Sequence, residues 1–262
     1  GDLFTLGSYL GLTLLFSLGL QGKMSGILVG GALIVMSMGL VAVVGYLLER
    51  VAYRPLRGSN RLAAVVSALG ASIFFSNAIM LVYGARSQVY PNGILPSVAV
   101  SLLGVDIPLM RIVMFVGTVV LMLLLYWFIN HTRIGTAIRA VAIDQGAARL
   151  MGINVDRVIS LVFFIGAGLG GVAGVMVGTY YGQNDFTMGW SYGLKAFTAA
   201  ILGGIGNIPG AMIGGLLLGV IEALGASYLA MAWKDAIAFL VLILILIIRP
   251  TGLLGERVAD KL

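Results

Sequence analysis

Charged residues fall in clusters along this chain, and long uncharged runs separate them. Leu3–Gly22 spans 20 residues without a charge, Met24–Leu48 25, Leu62–Ala85 24, Ile112–Thr132 21, Val158–Asn184 27 and Ala196–Ile221 26. About 20 apolar residues in a helix cross a ~30 Å hydrocarbon core, so each run can cross once. The last run, Ala236–Ile248, has 13 residues and reaches crossing length only if Met231–Trp233 extends it past Lys234 and Asp235. The runs are continuously apolar rather than alternating, which predicts helices, whose backbone polar groups are satisfied internally. The expected fold is all-α, a polytopic transmembrane helical bundle forming one membrane domain over residues 1–262.

Composition agrees: 60% of the 262 residues are hydrophobic and 10% charged, against roughly 25% charged in soluble domains. The absence of cysteine excludes disulfides, zinc fingers and cysteine nucleophiles. Four arginines against one glutamate occupy Glu49–Arg61, and Arg133, Arg139, Arg149 and Arg157 face Asp144 and Asp156 in Asn130–Arg157. The loops Gln21–Lys23, Arg86–Arg111 and Gly182–Lys195 are poorer in net positive charge. The positive-inside rule places the two basic loops in the cytoplasm, separated by two crossings as that requires. The net charge of +6 is therefore mostly a topology signal and not a partner's footprint; the apolar runs make the lipid bilayer a partner, and no nucleic acid is expected.

Arg249, Arg257 and Lys261 mark a cytoplasmic tail, so the 34-residue stretch Ala196–Leu229 must start and end outside. It is interrupted by Gly203-Gly204-Ile205-Gly206-Asn207-Ile208-Pro209-Gly210. This predicts a short descending half-helix, a Gly/Pro turn and an ascending helix from about Ala211. The turn lies either at membrane depth, where broken helices mark transport paths, or as a tight turn near the cytoplasmic surface. Gly166, Gly170, Gly174 and Gly178 recur every four residues, as do Gly206, Gly210 and Gly214, and Gly215 with Gly219, the spacing of close helix packing, with a pliable gating helix as the alternative reading.

Catalytic chemistry is scarce, and neither a catalytic nor a metal site is expected. His131 has no partner for a dyad or metal site, and no P-loop occurs. Gly166, Gly168 and Gly171 match G-x-G-x-x-G but follow no strand. Polar groups within or bordering apolar stretches are costly in lipid and belong in a bundle interior, cavity or interface. Asp2, Ser8, Asn77, Thr198, Asn207 and Glu222 are the candidates for a translocation path, with Glu222 equally suited to an interface.

Within Asn130–Arg157, Asp144 suits an N-cap, Gln145–Met151 a short helix and Gly152 its stop. Such a helix, with small residues Gly146, Ala147 and Ala148, fits either a groove in another protein or the lipid headgroup surface.

Gly135–Arg157 resembles the coupling loop of ABC-importer permeases, in particular the branched-chain amino acid permeases of LivH type. The likeness continues in Glu49-Arg50-Val51-Ala52-Tyr53-Arg54-Pro55, Ser67-Ala68-Leu69-Gly70, Leu150–Ile159, Lys195–Gly215 and Arg249-Pro250-Thr251-Gly252. The resemblance implies a type II-like permease architecture with broken or re-entrant helices in a bacterial inner membrane. It implies a second, LivM-like permease, two cytoplasmic ATPases that hold the ATP and Mg, and an extracytoplasmic amino-acid-binding protein. This chain would hold no cofactor. Gly135, Arg139, Asp144, Gln145, Ala147, Ala148, Arg149, Met151, Gly152, Ile153 and Asn154 would couple to the ATPases, and Gly203, Gly204, Gly206, Pro209 and Gly210 would form the helix break. The family's loop glutamate is replaced in effect by Asp144-Gln145-Gly146. The family also has a helix before the segment at which this chain opens, so a further crossing is expected there, and Arg54-Pro55 echoes Arg249-Pro250 as in an internal repeat. A urea or short-chain amide permease and an ion-coupled secondary transporter are the alternative functions.

Overall fold

The computed structural model describes residues 1–17, 26–57, 61–91, 99–102, 105–228, 231–249 and 251–255. The loop Gln21–Lys23, Pro250, and the tail charges Arg257 and Lys261 lie outside the described residues. Helices dominate: α1 (Asp2–Ser17), α2 (Gly26–Leu48), α3 (Arg61–Tyr83), α4 (Leu109–His131), α5 (Arg133–Ile143), α6 (Gln145–Leu150), α7 (Val155–Tyr181), α8 (Met188–Gly203), α9 (Ile208–Tyr228) and α10 (Lys234–Ile248). Two small antiparallel ribbons accompany them, β1 (Gln88–Val89) with β4 (Gln183–Asn184) and β2 (Ala99–Leu102) with β3 (Val105–Pro108). Among the described residues, five stretches are long and apolar enough to cross a membrane: Val29–Leu56, Leu62–Tyr83, Leu109–His131, Val155–Tyr181 and Ile208–Tyr228. The runs read as crossings at the two ends of the sequence form shorter described helices, α1 of 16 residues and α10 of 15.

The chain divides into two compact units, Gly1–Val119 with Phe128–Ser191, and Val120–Trp127 with Tyr192–Leu262. In the first, α7 packs between α1 and α2. Leu12, Leu15, Val29, Leu33, Tyr90 and Val175 form its core. Helix α1 enters beside the middle of α7, with Phe4 at Gly174, Gly7 at Gly171 and Gly11 at Val175. Half of the expected glycine seam is therefore at work. A methyl at Gly174 or Gly178 would collide with α1, and one at Gly171 with Val41, whereas Gly166 faces open space and Gly170 is uncrowded. The contact surface of α7 follows positions 171, 174 and 178, a mixed three- and four-residue step along one helix face, rather than a strict four-residue repeat.

In the second unit α8 and α9 form a hairpin. Gly204 (φ +106°) and Gly206 (φ +95°) occupy backbone conformations open to glycine. The Asn207 side chain accepts from the Gly210 N–H at 2.9 Å, capping α9. This starts the helix at Ile208, three residues before the expected Ala211. Pro209 then sits in the first turn, where its missing N–H costs nothing. Helix α9 alone is long enough to cross, and the expected turn is the short link 204–207 between α8 and α9. That turn is covered by the chain after α10: Leu253 and Leu254 donate N–H bonds to the carbonyls of Leu202 and Gly203 at 2.9 and 3.0 Å.

Candidate functional site

The segment between α4 and α7 is built from three caps. Thr132 leaves α4 in an extended conformation, and its Oγ1 accepts from the Gly135 N–H at 3.0 Å to begin α5. Gly135 lies so close to the Phe128 and Ile129 carbonyls that a side chain there would collide with the backbone. Asp144 ends α5 and begins α6, its Oδ1 accepting from the N–H groups of Gly146 and Ala147 at 2.8 and 3.1 Å. Gly152, at φ +80°, stops α6, and Asn154 accepts from the Arg157 N–H at 3.1 Å to open α7. Short helices need such partners because their terminal N–H groups have none within the helix.

Val141, Ala148 and Val155 form a small core that ties α5, α6 and the first turn of α7 together, with Ile153 packed against it. Ala148 and Gly135 therefore serve packing and do not face outward. Arg139 donates to the Asn130 side chain at 3.1 Å, bracing α5 against α4. Asp144, Gln145, Ala147 and Arg149 are exposed, as are Ile143, Leu150 and Met151, at 82, 90 and 82%. This is a rigid polar knob with three large apolar side chains left uncovered.

The two basic loops meet at one end of the first unit, as the positive-inside assignment requires: Arg54 and Arg57 at the end of α2 pair with Asp156 at the start of α7. Arg57 also pairs with Glu49, which is fully buried. Sequence marks the basic residues of this loop for orientation and for the family likeness, and no local motif distinguishes an arginine that binds a buried carboxylate.

The path candidates fall three in each unit, Asp2, Ser8 and Asn77 in the first and Thr198, Asn207 and Glu222 in the second. Asp2, at the first turn of α1, accepts from the hydroxyls of Ser72 and Ser76 on α3. Buried Ser8 donates to the Asn184 side chain at 2.6 Å, while its carbonyl accepts from the buried Tyr90 hydroxyl, also at 2.6 Å. Burial pushes the Tyr90 hydroxyl up to about 12, so it remains a donor at physiological pH. Next to this cluster, Thr5 Oγ1 is buried without a partner among the described residues. Asn77 is exposed and bonds to the Ile73 carbonyl of its own helix; Thr198, buried, bonds to the Leu194 carbonyl. In the second unit Asn207 caps α9 and donates to the Leu254 carbonyl at 3.0 Å, a structural role.

Glu222 is buried and paired. One of its oxygens accepts from Lys195 at 3.0 Å and Lys234 at 3.2 Å, and Lys195 also reaches Asp235 at 2.8 Å. Two lysines and two carboxylates thus form a neutral tetrad linking α8, α9 and α10, which reconciles Glu222 with an apolar helix. The lysines lie 27 positions before Glu222 and 12 after it, beyond the reach of any helical spacing rule.

The family model described as the branched-chain amino acid transport system permease component matches residues 1–246. The chain is 44% identical to the high-affinity branched-chain amino acid transport system permease protein LivH of Escherichia coli (strain K12), over 100% of this chain and 86% of that protein. It is 45% identical to the corresponding protein BraD of Pseudomonas aeruginosa, with the same coverage. It is 29% identical to a probable LivH permease of Methanocaldococcus jannaschii over 97% of this chain and 81% of that protein. No solved structure matches the chain. With its apolar spans, its capped loop helix and these relatives taken together, the chain belongs to the family of branched-chain amino acid transport permease components.

Proposed function

We propose that this chain is one of two permease subunits of an ATP-driven importer of branched-chain amino acids in a bacterial cytoplasmic membrane. The second permease is a LivM-like chain, an extracytoplasmic binding protein delivers the amino acid, and two cytoplasmic subunits hold ATP and Mg and carry out the hydrolysis. The permease itself contributes no catalytic residue. Its part is to present different surfaces in inward- and outward-open states, so that ATP and the binding protein, by favouring different states, drive exchange between them.

The observation that carries this reading is the α6 knob: an Asp144-capped helix on the basic side of the membrane, rigidly packed on α7, with Ile143, Leu150 and Met151 exposed. Apolar side chains held outward on a short rigid helix suit a groove in a partner subunit. Arg149→Glu places a negative charge in the centre of that contact. In proteoliposomes containing the assembled importer, leucine uptake per ATP hydrolysed should fall by about tenfold or more, as expected for loss of a coupling energy of ~1.4 kcal/mol. Unchanged coupling would remove α6 from the ATPase interface. Competition by isoleucine and valine, with none by urea or acetamide, checks the substrate class; the reverse pattern would favour an amide permease.

A further inference from the structure

The segment Glu49–Arg57, which orientation alone does not explain, holds an unusual helix end. Helix α2 passes into a π turn over Glu49–Tyr53, with the Arg54 N–H bonded to the Glu49 carbonyl, and then into a 3-10 turn over Arg54–Leu56. Pro55 provides a reason: it has no N–H to donate, and its ring crowds the carbonyl four residues back, so the α-helical pattern cannot continue. The Ser67 hydroxyl of α3 donates to the Ala52 carbonyl of the widened turn at 3.1 Å. Single π turns are uncommon and concentrate where helices serve a function.

Around this joint the charges form a chain. Both oxygens of the fully buried Glu49 are occupied, one by the Arg57 guanidinium and the other by the Ser160 hydroxyl of α7. The second arm of Arg57 holds Asp156, the second residue of α7, and Arg54 approaches the same carboxylate at 3.4 Å. Asp156 follows Val155, whose side chain packs on Ala148 of α6. Displacement of α6 thus meets packed side chains as far as Val155, then charge-assisted hydrogen bonds through Asp156 and Arg57 to Glu49 at the end of α2.

We propose that Asp156–Arg57–Glu49 is a transmission relay, in which Arg57 is the positioning residue that passes movement of the docked α6 to the jointed end of α2. This rests on the reading that α6 docks on an ATPase. Two links differ in kind. The Arg57–Glu49 pair neutralises a fully buried carboxylate, and removing Arg57 would leave that charge uncompensated. The Arg57–Asp156 pair is half-exposed and can be cut while the first stays intact.

The test therefore uses Asp156→Asn in the complete importer, with Asp156→Glu as the conservative variant. The chain has no cysteine, so Ala147→Cys can be joined to a cysteine placed in the ATPase groove to report docking separately. Recovery of the complex, the Ala147→Cys crosslink and basal ATP hydrolysis should be unchanged in Asp156→Asn. Leucine taken up per ATP hydrolysed should fall by about tenfold, within the usual range of coupling effects, and Asp156→Glu should restore most of it. An unchanged ratio, or uptake falling only in proportion to lost complex, would overturn the relay and leave Asp156 a structural lock. Failure of the parent Ala147→Cys chain to crosslink would overturn the docking reading and the relay with it.

Discussion

Substituting Gly174 by alanine should do more harm than its single methyl group suggests. The added carbon would fall inside the contact distance of the Phe4 carbonyl oxygen, 2.9 Å from the Ser8 nitrogen and 3.0 Å from the Phe4 carbonyl carbon. Ordinary contact begins near 3.4 Å, and all three obstacles are backbone, so no rotamer change clears the clash. Helix α1 must retreat bodily. It is held by the Ser8–Asn184 bond, by the Tyr90 hydroxyl on the Ser8 carbonyl, and by Ser37 Oγ on the Gly7 carbonyl at 3.0 Å. Overpacking costs ~1–3 kcal/mol, and each buried polar group left unpaired adds ~1–3 kcal/mol. A loss of about 3 kcal/mol or more follows, roughly a hundredfold or more in the folding equilibrium constant. Gly166→Ala adds the same methyl on the same helix but faces open space within 4 Å, and should change stability little. The assay is the thermal midpoint of the detergent-purified permease, followed by gel filtration of the surviving fraction. Equal midpoints for the two variants would refute the reasoning.

Asp144→Ala removes the cap of α6 and should cost about 1 kcal/mol locally, read as faster amide exchange at Gly146 and Ala147, while Asp144→Ser should retain protection. Glu222→Gln leaves Lys234 without its carboxylate partner and Lys195 with Asp235 alone; the thermal midpoint should drop by several degrees, and adding Lys234→Met should recover part of the loss, because an unpaired cation in apolar surroundings is the source of the cost. Asp185 accepts from the Thr187 hydroxyl and N–H and from Ser87, in that order of effect, which holds its carboxyl below the usual range. A depressed carboxylate stabilises the folded form above its unfolded value, and that stability is lost as pH falls through the folded one. Exchange at the Thr187 amide should therefore accelerate below about pH 3.9 in the parent chain, and Asp185→Asn should abolish that dependence.

Much of this molecule was legible because membrane insertion and helix capping are local. Four uncharged runs coincide with membrane-length helices, a fifth is divided between α8 and α9, and the runs at the two ends give shorter helices, while Asp144, Gly152 and the Gly203–Gly210 turn fell where single-residue stereochemistry dictates. The seam on α7 was half legible: glycine counts show that close approach occurs, but which glycines face α1 depends on where α1 meets α7, at Gly171 and Gly174 rather than Gly166. Least legible were the partners of the buried charges. Glu49 finds Ser160 across 111 positions and Glu222 finds lysines on two other helices, pairings that tertiary packing sets and no periodicity announces. Ala148 illustrates the reverse error, since a small residue on a docking helix reads as a contact yet turns inward as core.

Near its turn the hairpin of α8 and α9 joins through main chain: Gly203 abuts Gly210, and Gly214 abuts the Ala199 carbonyl. Side chains accommodate stress by changing rotamer, but peptide groups in direct contact have no alternative arrangement at similar energy. This hairpin is accordingly a poor place to dissipate mechanical work. The helices therefore move together near the turn, and adjustment falls to contacts made by flexible side chains, as between Lys195 and Glu222 further along.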